Sequence, residues 1–440
     1  MRRLRFHLFL SLVYLLPAAF RIFNALRKGL PLTAPMDSLE ALLRVQFLAK
    51  SSDTFLYYLP PAYAFVKYGE PIAVVGGNVL HLCYRVIQSY VFVPFMAAFG
   101  EYFPLYYIIV FSLLFANALA LLLWEVNPDR MVANSLIALL PLPIVFYHFP
   151  FLMLEAPTLT FLTFYVFLLV RSIRGRVGYA LLSAPFLALA GFLRPESVVG
   201  VLPMIRRLRG RPLLLLPALS AVAVPVVSHA LWTLRCGEQS NFYMWAYAQH
   251  LENRRGAPYG EVKEMVADVE PRLRACLRGK GVPPPDSVGF SDPTLNLYFQ
   301  MFQIHGREYS QCFKEMLLED LSARDIAVAM RRVVANVLAL LIPAFASGHA
   351  LGRFGMLAWP LRVLYAIYGL LLLLALACTW RCWREYGGFI AAYLMLLLVY
   401  AIYNPFGNFD AVRFKMYLLP YEFLFFGLSI RVFATGGTSR

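Results

Sequence analysis

What this chain has little of is charge. Asp, Glu, Lys and Arg make up 15% of its 440 residues, against 60% hydrophobic ones. A soluble globular chain carries about 25% charged residues. With a mean hydropathy of +0.62, that excludes a water-facing surface over most of the molecule. Acids are the scarcer sign, 25 against 40 Lys and Arg, for a formal net charge of +15. The six cysteines show no zinc-ligand spacing. Cys236, Cys276 and Cys312 fall in one hydrophilic region, which allows a disulfide there without specifying one. Alternating strands of about ten residues are missing, which argues against a transmembrane barrel. No internal repeat, low-complexity tract or separate soluble domain is visible. The first apolar run lacks a small-x-small cleavage site, so an uncleaved first span with a cytoplasmic N-terminus is expected rather than a signal peptide.

What is there is a series of apolar runs, several of them long enough to cross a bilayer at about 20 residues each. Arginines cluster between them at "MRRLR", "RSIRGR" and "IRRLRGR". That placement fits cytoplasmic loops under the positive-inside rule better than a nucleic-acid surface. Spans are expected at 6–23, 105–124, 131–149, 157–170, 177–193, 212–234, 357–380, 389–403 and 414–432. The apolar piece 84–99 is decided by charge. If it crosses, "RSIRGR" and "IRRLRGR" land outside; if it lies along the interface, both land inside with the N-terminus. The flat placement is therefore expected, and likewise for 333–346. Residues 195–205 would reach only about 16 Å as a helix, half the hydrocarbon core, so Arg194 and Glu196 are expected below the outer surface, facing a polar cavity.

The expected fold is an all-α polytopic membrane protein of about ten transmembrane helices. Interfacial helices occupy its first outer loop and a larger outer loop lies near the middle. Three parts are expected: 1–234, a transmembrane module carrying the first outer loop 26–104; 235–331, an extracytoplasmic loop region; and 332–440, an interfacial helix with the last spans.

Charged residues collect at the predicted outer ends: Asp53, Arg85, Glu155, Arg194, Glu196, His250, Arg254, Arg255, Asp410, Arg413 and Lys415. Together they suit one outward cavity with both acids and arginines. Arginines hold a lipid phosphate through charge-assisted hydrogen bonds. A carboxylate can deprotonate an acceptor hydroxyl.

The ordered set resembles the multi-spanning glycosyltransferases of the GT-C fold, in particular the protein O-mannosyltransferase and lipid A aminoarabinose transferase branch. The pieces are Asp53, Tyr57, Ala62, Ala64 and Gly69; then Arg85, Phe99 and Gly100; then Leu154, Glu155 and Pro157; then "ALAGFLRPES", "NFYMWAYAQHLENRR" and "RFKMYLLPY". The resemblance implies an inverting transfer of a sugar from a polyprenyl-phosphate donor to an extracytoplasmic protein, lipid or glycan acceptor. It implies Asp53 as general base. Arg85, Arg194, Arg413 and Lys415 would hold the donor phosphate, and Tyr57, Glu155, Glu196, His250 and Arg254 would line the substrate cavity. The membrane would be the plasma membrane of a prokaryote or the endoplasmic reticulum of a eukaryote. The chain has Asp53-Thr54 where the family often has two adjacent acids, so the pattern for a divalent metal is incomplete and no cofactor is assigned. Tyr84-Arg85 replaces a proline-containing pair, and Glu155 a common Asp.

By residue type alone, Asp53 reads first as a helix N-cap after Ser51-Ser52; the resemblance reverses that order. Asp37, with Glu40 three residues on, reads as a capping-box-like pair. Arg194 and Glu196 could simply pair across the helix break, and Arg413 and Lys415 could be interfacial anchors. Two other functions compete. A flippase or transporter for an anionic lipid-linked molecule would favour inverted repeats with broken helices in both halves, and a non-catalytic assembly subunit is the third reading.

Overall fold

The computed structural model describes every residue except 52–53, 84, 150, 176, 211, 237–241, 256–261, 344–357, 404–410 and 435–440. The chain is an α-helical polytopic membrane protein: among the described residues six helical segments are long and apolar enough to cross a bilayer.

Helix α1 spans Arg2–Arg27. It turns Phe6, Leu10 and Tyr14 inward and leaves Leu4, Leu8, Leu12 and Leu16 exposed, the one-sided burial of a helix at the lipid boundary. The first outer loop then builds a platform. Its helices are α2 (Leu39–Arg44) and α3 (Leu59–Tyr68), the latter entered through a π-helical turn at Thr54–Tyr58. Ser38, not Asp37, caps α2, accepting from the Ala41 N–H at 3.1 Å. Glu40 instead pairs with Arg44 at 3.4 Å. Lys50 closes the other end of α2, donating to the carbonyls of Leu43 at 2.5 Å and Val45 at 2.8 Å.

The platform also holds strands, where only helices were expected. β1 (Ile72–Val75) and β2 (Asn78–His81) form an antiparallel hairpin with Val75 opposite Asn78. Gly76 and Gly77 make the two-residue turn with φ of 55° and 83°, the left-handed pair such a turn requires. A Cβ on Gly76 would lie 2.6 Å from the Gly289 carbonyl oxygen, so the glycine also lets the hairpin tip dock on the large outer region.

Of the stretch 84–99, the described residues 85–99 hold two short helices, α4 (Val86–Ser89) and α5 (Val93–Phe99). Neither reaches the ~30 Å of a hydrocarbon core at 1.5 Å per residue. Helix α6 (Phe103–Val126) does. The expected span 131–149 is broken at Leu140-Pro141 into α7 (Met131–Leu139) and α8 (Leu142–His148). Helices α9 (Glu155–Arg174) and α10 (Gly178–Leu193) come next. Pro195 then stops the α-helical ladder, a 3-10 stretch fills Pro195–Gly200, and α11 (Val201–Leu208) completes the half-length element. α12 (Pro212–Cys236) runs back along the bundle with Leu219, Val227 and Leu231 exposed.

The outer region contains α13 (Phe242–Arg255), α14 (Val262–Asp268), α15 (Glu270–Gly279), α16 (Pro293–Phe299) and α17 (Gly306–Asp320). α18 (Ala323–Leu341) starts at a Ser322/Asp325 capping box. It exposes Ile326, Met330, Val334 and Leu338 at four-residue spacing, an apolar face. The last elements are α19 (Ala358–Trp380), α20 (Trp383–Tyr403), α21 (Ala411–Lys415) and α22 (Leu419–Ala434). The expected final span 414–432 is thus interrupted between Lys415 and Leu419. The bundle packs through α9 against α6, α10 and α22, with α10 against α12, α1 against α6 and α19 against α22.

Two disulfides join the parts. Cys276–Cys312 ties α15 to α17, a pairing the hydrophilic cysteines allowed. Cys83–Cys236 ties the first loop to the end of α12 across 153 residues.

Candidate active site

The helix break and the start of α9 bring Glu155, Arg194 and Arg413 together. Glu155 is the first residue of α9 and is fully buried. At that position its charge also faces the positive end of the helix dipole. Its Oε1 accepts three hydrogen bonds: from Arg194 Nη2 at 3.0 Å, Arg413 Nε at 2.5 Å and the Tyr417 hydroxyl at 3.0 Å. Its Oε2 has no partner among the described residues. Arg194 comes from the end of α10 because Pro195 halts the helix there. Its guanidinium lies 5.1 Å from the Tyr417 ring centroid, and its Nε is buried without a partner among the described residues. The Arg194 guanidinium carries five N–H donors, more than one shared carboxylate oxygen can accept. Burying such donors is expensive unless they are met, so the cluster is suited to a further anion.

The surroundings are aromatic. Tyr58 stacks on Phe92 at 6.0 Å, and Phe92 on Tyr107 at 4.8 Å. Tyr107 donates to the Met153 carbonyl at 2.6 Å, two residues before Glu155. Tyr58 and Glu196 lie within electrostatic range of Arg194. Glu196 and Arg85 are both in range of His229 on α12, which approaches the Phe192 carbonyl at 3.1 Å. Arg85 itself takes a left-handed conformation, φ 56°, at the start of α4. The three arginines Arg85, Arg194 and Arg413 and the acids Glu155 and Glu196 therefore share one region. Asp53 and Asp410 lie outside the described residues. Tyr57, four residues after Asp53, is buried with its edge on Phe302 at 5.1 Å.

Other expected members are placed elsewhere. Lys415 is fully buried in a separate pair, its Nζ 2.6 Å from Glu422 Oε1 and 2.6 Å from the Leu340 carbonyl. Tyr368 and Tyr393 donate to the same Glu422 carboxylate. His250 and Arg254 belong to a network that locks the outer helices. Arg254 donates to the Asp320 carbonyl at 2.8 Å, and Asp320 Oδ2 accepts from Tyr247 at 2.9 Å and Arg272 at 3.0 Å. His250 is almost fully buried, with Nδ1 3.7 Å from Asp325. Burial, then the Arg254 charge, push its pKa below 6.5 against the pull of Asp325.

Sequence reasoning does not single out Tyr417, Tyr58 or Tyr107. A signal for Tyr417 is nonetheless present, since "RFKMY" sets it four residues after Arg413, one helical turn along. Among the described residues, the one grouping of metal-type ligands is Cys276, Cys312 and Glu315, and its two sulfurs form a disulfide.

No family model matches the sequence, and no curated protein matches it. Among solved structures, the chain is similar to the crystal structure of ArnT from Cupriavidus metallidurans bound to undecaprenyl phosphate. Identity is 15%, the match covers 98% of this chain and 78% of that one, and the TM-score is 0.34. A TM-score that low is no basis for assigning an activity.

Proposed function

We propose that the protein is an inverting glycosyltransferase that moves a sugar from a polyprenyl phosphate to an acceptor on the extracytoplasmic face. The observation that carries this reading is the buried Glu155 carboxylate holding Arg194 and Arg413 at the outer ends of the spans. Glu155 presets both guanidinia, so little ordering remains when a phosphate arrives. The lipid tail would lie along the bundle. The acceptor hydroxyl attacks the anomeric carbon as its proton passes to Asp53. The bond from that carbon to the phosphate oxygen breaks on the opposite face, and its electron pair leaves with the polyprenyl phosphate. Arg194 and Arg413, with Arg85 as third cation, stabilise the departing charge. Attack opposite the leaving group inverts configuration. Tyr57 and Glu196 are assigned to the substrate cavity.

The face is argued from the disulfides. Cys83, Cys236, Cys276 and Cys312 are paired, and such bonds persist in oxidising compartments. The first loop and the outer region are then extracytoplasmic, which agrees with arginine-rich inner loops.

A transporter for the same lipid class is the second reading. It is favoured by the interruptions at Leu140-Pro141, at Pro195–Gly200 and between α21 and α22, which put broken helices in both halves. One assay separates the two. Purified protein receives polyprenyl phosphates carrying radiolabelled mannose, glucose or aminoarabinose, with membrane extract as acceptor source. An enzyme releases free polyprenyl phosphate as label moves to acceptor; a transporter leaves every donor intact.

A further inference from the structure

At the opposite end of the bundle, five arginines from four helices face one cavity of ≈ 440 Å³. Arg174 ends α9, Arg206 and Arg207 lie in the last turn of α11, Arg384 begins α20 and Arg431 closes α22. Glu385 is the one acid in the lining. Five positive charges and one negative leave the cavity at formal +4, beside a volume within the range of small-ligand sites. Helix α9 places this cavity about 30 Å from Glu155, a hydrocarbon thickness away. It is therefore separate from the outer cluster.

The cavity is a built feature. A Cβ on Gly388 would lie 2.7 Å from Pro203 Cα, and one on Gly387 would lie 2.7 Å from Arg206 Nη1. Two consecutive glycines thus let α20 close onto α11. Arg206 then donates to the carbonyls of Trp383 at 2.8 Å and Arg384 at 3.1 Å, with Trp383 beneath its guanidinium at 5.5 Å. Arg207 donates to the Ser172 carbonyl at 2.5 Å and Arg174 to the Val126 carbonyl at 3.2 Å. Carbonyls orient these groups without neutralising them. The Nε atoms of Arg174 and Arg207 are buried with no partner among the described residues, and unmet donors of a charged group are costly. Arginines that served only to orient the chain would need to lie in inner loops; they would not need to converge. Convergent guanidinia match the several acceptor oxygens of a phosphate.

We propose that this inner cavity is a phosphate-binding site, for a phosphate carried by an anionic lipid headgroup or by a small soluble ester. The full-length protein, purified into phosphatidylcholine nanodiscs, is titrated with pyrophosphate by calorimetry. In a parallel arm, native mass spectrometry measures retention of phosphatidylglycerol from mixed nanodiscs. Binding in the second arm alone identifies a lipid headgroup; binding in the first identifies a soluble ester. The paired variant Arg384→Gln/Arg431→Gln leaves the carbonyl bonds of Arg174, Arg206 and Arg207 in place. It should weaken whichever ligand binds by roughly tenfold or more. Arg384→Lys/Arg431→Lys should lose less, and Arg278→Gln on the outer region should bind as the unaltered protein does. The proposal is overturned if neither ligand binds, or if the Gln pair binds as tightly as the Arg278→Gln control.

Discussion

Glu155 and its two arginines are the most testable residues in the chain, because each has a distinct expected failure. Glu155→Ala removes a carboxylate partner from the buried Arg194 guanidinium and from the partly buried Arg413 one. Breaking such a pair from one side costs about 3–5 kcal/mol, so the thermal unfolding midpoint of the purified protein should drop clearly. A midpoint equal to that of the unaltered protein would mean the pair is not formed. Arg194→Ala should chiefly weaken donor binding, by about tenfold to a hundredfold for a lost charge-assisted hydrogen bond. Unchanged affinity for a polyprenyl-phosphate sugar in a folded variant would remove Arg194 from the donor site. Glu155, Arg194 and Arg413 were all readable as charges stranded near apolar helix ends. Their mutual contact was not, because Glu155 and Arg413 lie 258 positions apart. Lys415 looked equivalent to Arg413, two residues away. Its use in the Glu422 pair depends on the turns at 416–418, which bring its ammonium to a carboxylate seven residues on, and residue type does not announce that.

At the level of elements, long apolar runs made α1, α6, α9, α12 and α19 legible, since about 20 such residues have few alternatives to a span. Breaks were less legible. Pro195 after Arg194 signalled one, whereas the interruptions at Leu140-Pro141 and after Lys415 fall inside the expected spans 131–149 and 414–432, where Pro141, Pro143 and Pro420 were read through. The hairpin was signalled by Gly76-Gly77 between short apolar runs, but the platform's helical pieces masked it. The outer helices carry a pH dependence whose sign is set by their titrating groups. His250 faces Arg254, Asp320 and Asp325. Its pKa in the folded chain lies below its usual 6.5, so as pH falls through 6.5 the unfolded chain takes the proton first and stability declines. Burial works against the Asp320 carboxylate, yet bonds from Arg272 and Tyr247 outweigh it and hold its pKa below 3.8; that contribution disappears only in stronger acid. Hydrogen exchange in α13 should therefore quicken relative to α6 as pH drops from 7.5 to about 5.5, after correction for intrinsic rates. His250→Gln should flatten this change. Equal pH profiles for the two proteins would show that His250 does not supply it.

Across the whole molecule the two ends differ: one is stapled by disulfides and holds Glu155, and the opposite one is rich in arginine. In a Cys378→Ser/Cys382→Ser background, cysteines placed at Gly175 and Gly210 should resist an impermeant thiol reagent added outside intact cells. One placed at Asp286 should react. Labelling at Gly210 from outside would invert the arrangement. The measurement that bears most directly on the central claim is turnover of a labelled polyprenyl-phosphate sugar by the purified protein and by Asp53→Asn, with donor binding read alongside. The unaltered protein should release free polyprenyl phosphate and form a product of inverted anomeric configuration. Asp53→Asn should bind donor nearly as well but turn over roughly 10²–10⁴-fold more slowly, the range for loss of a general base, while Asp37→Asn stays active. An Asp53→Asn protein that turns over normally, or a product of retained configuration, would contradict it.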